Sequence, residues 1–269
     1  MEPTPPPADG GSKPAPGALP LLYRRIEPLS AARHGGLKLR GPNDYGFARS
    51  TGIIPITLGE FSIAARQYPI VFLPSRPGAP PLAAAALGTG PGENLFVGAD
   101  GRWLQGFYVP AYLRRYPFIT GDTEQADRKA VYLDVESARV SREEGDALYE
   151  DQELSKLGKA AIEFCRQYHG QVLATAAFNA AMAQAEILIR RPYPADARPK
   201  AQKQAAPVLT IDERKLAAVD DTTFLDWRAK GWLPMIYLHL FSLTHFAALA
   251  QLKKRLLAAA AEAMPVGTA

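Results

Sequence analysis

The side chains equipped for chemistry gather mainly between Asn43 and Phe118. Arg40, Asp44, Arg49, Glu60, Arg66, Asn94, Trp103, Tyr108, Tyr112, Arg114, Arg115 and Tyr116 mix guanidinium forks with aromatic faces, amides and carboxylates. A guanidinium fork pairs two oxygens of a carboxylate or phosphate at once, and an aromatic face takes a cation or the flat side of a sugar. Within this set Glu60, Asn94, Trp103, Tyr108, Arg114 and Arg115, joined by His239 from a distant apolar segment, are candidate binding residues for a small anionic or sugar-like ligand. An enzyme built from them would use Glu60 or His239 to move a proton and Arg114 or Arg115 to clamp an anion. The same residues also have architectural uses. Glu60 lies three residues after Thr57 in capping-box spacing, an arginine can pair with Asp44, Trp103 and the tyrosines suit a core beside a sheet, and His239 within IYLHL suits a satisfied core histidine.

Other chemistries fail on residue type or spacing. His239 and His245 are six residues apart, which on a helix turns them about 120° from one another instead of onto one metal-binding face. No His-x-Asp/Glu pair is present, so no metal is expected. No G-x-S-x-G elbow frames Ser62, Ser75 or Ser242, and GTGPGEN at 88–94 lacks the G-K-[ST] ending of a phosphate loop. The single cysteine, Cys165, forms no intramolecular disulfide and reads as a small buried hydrophobe on a helix. No catalytic residue is assigned and no cofactor is implied.

The elements that must position the candidates follow from punctuation and period. Residues 1–20 are rich in proline and glycine and read as a disordered tail. Between Leu21 and Arg49, Gly35-Gly36 and Gly41-Pro42 separate short strands at 37–39 and 45–48. Thr57–Gln67 has helical spacing, stopped by Tyr68-Pro69. Segments 70–73, 81–88 and 94–97 read as strands, the last joined through Ala99-Asp100-Gly101 to a strand carrying Trp103. Pro110 opens a short helix in which Arg114 and Arg115 cannot face the same way. Val131, Leu133 and Val135 alternate along a further strand at 129–135. A long helix is predicted from Glu153 to Gln184, a loop at 190–207, a strand at 208–211, helices from Asp212 and Thr222, and a terminal helix from Leu233 to Ala261. This order predicts an α+β fold, with an N-terminal mixed or antiparallel sheet block and short helices packed by a long central helix and a C-terminal helix. It is expected to form a single domain over 21–262, sheet-rich over 21–138 and helix-rich over 139–262.

A chain of 269 residues with 47% hydrophobic and 22% charged residues is large enough to bury a core of its own. Its net charge of +4 is a mild excess with no long basic stripe, so nucleic acid is not an expected partner. The N-terminus lacks the basic and apolar regions of a signal peptide, and no long uninterrupted apolar run stands out as a membrane span. The expected location is therefore the cytoplasm, with signal-independent export to the cell surface left open.

Several segments carry a resemblance beyond composition. NDYGFARS at 43–50, EFSIAARQYPIVF at 60–72, NLFVGADGRW at 94–103, YVPAYLRRYPF at 108–118, RHGGLKL at 33–39 and IYLHLFSL at 236–243 occur in the order and spacing of the SapC family. The chain resembles that family over roughly residues 21–256, more loosely over 139–220. The resemblance implies a bacterial accessory or binding protein, linked by the family's name to the surface layer and, among relatives, to outer-membrane nutrient uptake. It transfers no catalytic residue.

Overall fold

Runs of β-branched, aromatic and alanine side chains set the main sheet. In the computed structural model, which describes residues 19–41, 43–90, 92–123, 129–193 and 207–262, the strands are β1 (Ile26–Pro28), β2 (Lys38–Leu39), β3 (Ile53–Pro55), β4 (Ile70–Leu73), β5 (Leu82–Ala86), β6 (Phe118–Asp122), β7 (Lys129–Asp134), β8 (Val140–Ser141), β9 (Asp146–Ala147), β10 (Tyr149–Glu150), β11 (Glu153–Leu154), β12 (Leu188–Pro192) and β13 (Pro207–Ile211). The helices are α1 (Ala31–His34), α2 (Phe61–Ala64), α3 (Ala111–Arg115), α4 (Lys156–Gln184), α5 (Glu213–Ala217), α6 (Asp221–Ala229), α7 (Leu233–Ser242) and α8 (His245–Glu262). The expected tail lies, up to residue 18, outside the described residues.

The largest sheet has the order β12-β13-β4-β5-β3, and every pairing in it is antiparallel. Ile70, Val71 and Phe72 on β4 face Ala85, Ala84 and Ala83 on β5, all fully buried. The methyl side chains of β5 leave room for α4 to pack against it. Smaller antiparallel sheets, β1-β7-β6 and β8-β2-β9, complete the α+β architecture together with the β10-β11 ribbon. The fully buried Asp134 fastens β1 to this block. Its carboxylate accepts the main-chain N–H groups of Arg24, Arg25 and Glu136 and the hydroxyl of Tyr116.

Ser155 caps α4 by accepting the Gly158 N–H, and Cys165, Tyr168, Thr175, Phe178 and Met182 form its buried stripe at helical spacing. A Cβ on Gly158 would lie 2.7 Å from the Leu148 carbonyl oxygen, so glycine is what lets the helix start this close to the ribbon.

Some elements differ from the sequence reading. Residues 45–48 form a 3₁₀ turn over Gly46–Ala48, because Asp44 Oδ1 accepts the Gly46 N–H and curls the chain. Residues 94–97 form no strand beyond an isolated bridge between Val97 and Trp103. Asn94 takes up the main-chain groups a ladder would need, accepting from Phe96 N and donating to the Ala48 carbonyl. The start of the expected 190–207 loop is the edge strand β12, paired residue by residue with β13, and residues 194–206 lie outside the described residues. The single terminal helix is broken at Leu243–Thr244. There the Ser242 and Thr244 hydroxyls donate to the His239 and Phe241 carbonyls, three residues back.

Candidate functional site

Glu60, Tyr108 and Arg114 are the sequence candidates that meet. Thr57 initiates a 3₁₀ turn (Leu58–Glu60) that turns the Glu60 carboxylate inward, where it is buried. One of its oxygens accepts Thr57 N–H and Oγ1–H at 2.8 and 3.0 Å, and the other accepts the Tyr108 hydroxyl at 3.1 Å and the Ala111 N–H at 2.7 Å. Arg114 Nη2 donates to the Tyr108 hydroxyl at 2.9 Å, and the exposed guanidinium lies over the rings of Tyr108 and Phe164. Gln67 fixes the strand-like run before α3, accepting Tyr108 N–H at 2.6 Å and donating to the Gly106 carbonyl. Burial, helped by the Glu60 charge and opposed by Arg114, pushes the Tyr108 phenol up to about 12.

Trp103 lies at the edge of this group. It packs edge-on to Tyr45 and stacked on Phe96, with ring centroids 5.7 and 5.9 Å away. Its buried indole N–H is close enough to the Tyr68 hydroxyl to influence it but donates no hydrogen bond among the described residues. The remaining candidates are elsewhere. Arg115 is buried on the opposite side of α3, 4.5 and 4.4 Å from the ring centroids of Tyr112 and Tyr168, so the two consecutive arginines diverge as their spacing requires. Asn94 is a buried loop staple. His239, with no exposed surface, accepts the Ile211 N–H at 3.0 Å on Nε2 and packs 5.0 Å from the Phe72 ring centroid. Burial drives its pKa down to about 3, so the ring is neutral and carries its proton on Nδ1. A cleft of about 840 Å³ between the end of α4 and α5–α6, walled by Ala181, Gln184, Lys215 and Trp227, contains none of the candidates.

Two residues that the sequence reading did not choose complete the site. Tyr45, in the 43–50 signature, is buried, and both Arg139 and Arg114 are near enough to act on its phenol. Burial raises the phenol pKa, while each guanidinium pulls it back down. Arg139 is only 8% exposed and donates Nη1 to the Tyr116 carbonyl at 2.6 Å, but its buried Nε–H has no acceptor among the described residues. Neither Arg114 nor Arg139 forms an ion pair among the described residues. Burial lowers the Arg139 pKa, opposed by Tyr45, Asp44 and Tyr116. Asp44 Oδ1 is engaged by the Gly46 N–H. Tyr45 was within reach of sequence reasoning as an aromatic in a signature, whereas nothing around Arg139 marks it, because it enters the site from 94 residues farther along the chain.

The arrangement presents two cationic forks, one buried and one exposed, whose charges both reach the Tyr45 phenol among aromatic rings. Such a group can hold anionic oxygens. It offers no evident proton carrier, since both Glu60 oxygens are already occupied and His239 is enclosed elsewhere.

The SapC family model matches residues 29–249 of the chain. No curated protein and no solved structure matches it.

Proposed function

The chain belongs to the SapC family, and from that premise we propose that it is a non-enzymatic accessory protein binding a small anionic ligand at Tyr45, Arg114 and Arg139. The observation that carries this reading is Arg139, a buried guanidinium with an orphaned Nε–H and no ion pair among the described residues, the Asp44 charge acting on it only from beyond ion-pair distance. A buried charge of this kind costs several kcal/mol unless an opposite charge completes it. A carboxylate or phosphate held between Arg139 and Arg114 supplies that charge, and the Tyr45 hydroxyl supplies a further hydrogen bond. The rings of Trp103 and Tyr108 flank the site and suit a ligand with a flat or sugar-like body.

Isothermal titration with inorganic phosphate, citrate and glucuronate tests the reading. Saturable binding of at least one probe is expected, weakened about tenfold or more by Arg139→Gln and by Arg114→Ala. Arg114 is exposed, so its variant keeps the fold whatever Arg139 contributes to stability. Absence of saturable binding by the parent, or variants that bind as well as it does, overturns the assignment.

The reading extends to a partner at the bacterial surface layer, the association that the family's name carries, or in outer-membrane nutrient uptake, the association drawn from relatives. Subcellular fractionation of the native host checks this. Recovery with envelope markers would support the surface association, and strictly cytoplasmic recovery, the location expected from the sequence, removes it while leaving the binding site to be tested on its own.

A further inference from the structure

The terminal helices carry more apolar surface than the fold uses. Within Leu233–Glu262 a window reaches a mean hydropathy of 1.4, enough by length and composition for a membrane span, yet only 22% of it is buried. The inner side is tied into the protein. His239 accepts the Ile211 N–H, Ser242 Oγ accepts the Ile70 N–H, and His245 Nε2 contacts the Ala65 carbonyl. The helix is also interrupted at Leu243–Thr244. These ties and the break place the segment along the body and leave its outer side open.

The outer side has the composition of a surface helix that meets lipid. Tyr237 and Phe241, one turn apart on α7 and turned away from buried His239 and Ser242, are 44% and 70% exposed, while Leu256 and Leu257 on α8 follow Leu249 by seven and eight residues and are 37% and 61% exposed. From Lys254 onward every described residue of α8 is exposed, so the stripe begun by the buried Leu249 continues past the edge of the body. Charge identifies the occupant. From Trp227 through Ala261 there is no aspartate or glutamate, while Arg228, Lys230, Lys253, Lys254 and Arg255 all fall in this stretch. Lys230 pairs with Asp226 and Lys253 with Glu93, which leaves Arg228, Lys254 and Arg255 exposed and without an ion pair among the described residues, the last two adjacent on α8. Exposed aromatics and unpaired cations, in a helix pair without an acidic residue up to Ala261, match an interfacial helix on an anionic surface.

We propose that α7–α8 docks peripherally on an anionic lipid surface, with Tyr237 and Phe241 entering the headgroup region and Lys254 and Arg255 pairing with lipid phosphates. The site is separate from the one formed by Tyr45, Arg114 and Arg139. Co-flotation of the full chain with phosphatidylcholine vesicles, with and without phosphatidylglycerol, tests it at low and high salt. Binding that requires phosphatidylglycerol and weakens with salt is expected. The double variants Lys254→Glu/Arg255→Glu and Tyr237→Ser/Phe241→Ser should each weaken it by roughly tenfold or more, and circular dichroism should show an intact fold because all four side chains are exposed. No binding to the anionic vesicles at low salt overturns the proposal. So does a concentration-dependent dimer, seen by light scattering, that Tyr237→Ser/Phe241→Ser breaks while vesicle binding is unchanged, since the face would then belong to a second copy.

Discussion

Glu60→Ala is expected to lower the unfolding free energy by about 3–5 kcal/mol, because one side chain satisfies donors from three separate points of the chain. The Thr57 and Ala111 main-chain N–H groups, the Thr57 hydroxyl and the Tyr108 hydroxyl all end on its carboxylate. The hydroxyls can rotate to other acceptors. The N–H groups are fixed by the backbone, and an orphaned buried donor costs about 1–3 kcal/mol. Loss of the 3₁₀ turn's return contact adds to this. Glu60→Gln keeps the volume but replaces an accepting oxygen by an NH₂ that faces donors, so a loss of about 2 kcal/mol is expected. Urea unfolding measures both. A glutamine variant as stable as the parent would show that the four contacts are incidental and would restore Glu60 as a candidate proton carrier.

His239 gives the second large effect, through pH. Its neutral form is enclosed in the fold with a pKa near 3, against an ordinary value of 6.5. Below pH 6.5 the unfolded chain takes up a proton here that the folded chain excludes, so this group's contribution to stability is full above pH 6.5 and falls as the pH drops towards 3. Between pH 7 and 5 the parent should lose about 2 kcal/mol more than His239→Gln, whose amide oxygen can still accept the Ile211 N–H but does not titrate. The other histidines and the carboxylates are common to both proteins and cancel in the difference. Parallel stability profiles for the two would mean that His239 is reachable by water or already protonated in the fold. The same burial argues against His239 as a proton-transfer residue for an external substrate.

Much of the local structure was legible before the fold was known. The strand at 70–73, the long helix ending at Gln184, the alternating strand from Lys129, the helix start at Asp212 and the Thr57–Glu60 capping box depend on period and on short-range hydrogen bonding, which neighbouring residues decide. The divergence of Arg114 and Arg115 follows from the 100° turn per residue of a helix. Where the reading missed, a side chain within the element bonded a distant part of the chain and took hydrogen bonds on which the element depended. Asn94 did so for the expected strand at 94–97, and the Ser242 hydroxyl, held between the His239 carbonyl and the Ile70 N–H, did so for the unbroken terminal helix. Strand β12 was concealed because Arg190, Arg191 and Pro192 have the composition of a loop. They pair because Val208 and Leu209 lie opposite them in the register that β4 holds from the other side.

The sequence by itself determined the family, through signatures whose order survives any folding argument, and the α+β class, through the change from period-two to helical spacing along the chain. It also marked Arg114 and Tyr108 as binding groups for an anionic or sugar-like ligand, but passed over Tyr45 and Arg139 and left proton transfer by Glu60 or His239 open. Only the tertiary structure decided which groups meet. It closed the Glu60 carboxylate with donors from Thr57, Tyr108 and Ala111, turned Arg115 into a box of tyrosines, and enclosed His239 against β13. It brought Arg139 to Tyr45 across 94 residues. The physical reason is that residue type and spacing fix what a side chain can bond and which way it leaves its own element, while packing of distant elements fixes whether water, a ligand or another part of the chain occupies those bonds.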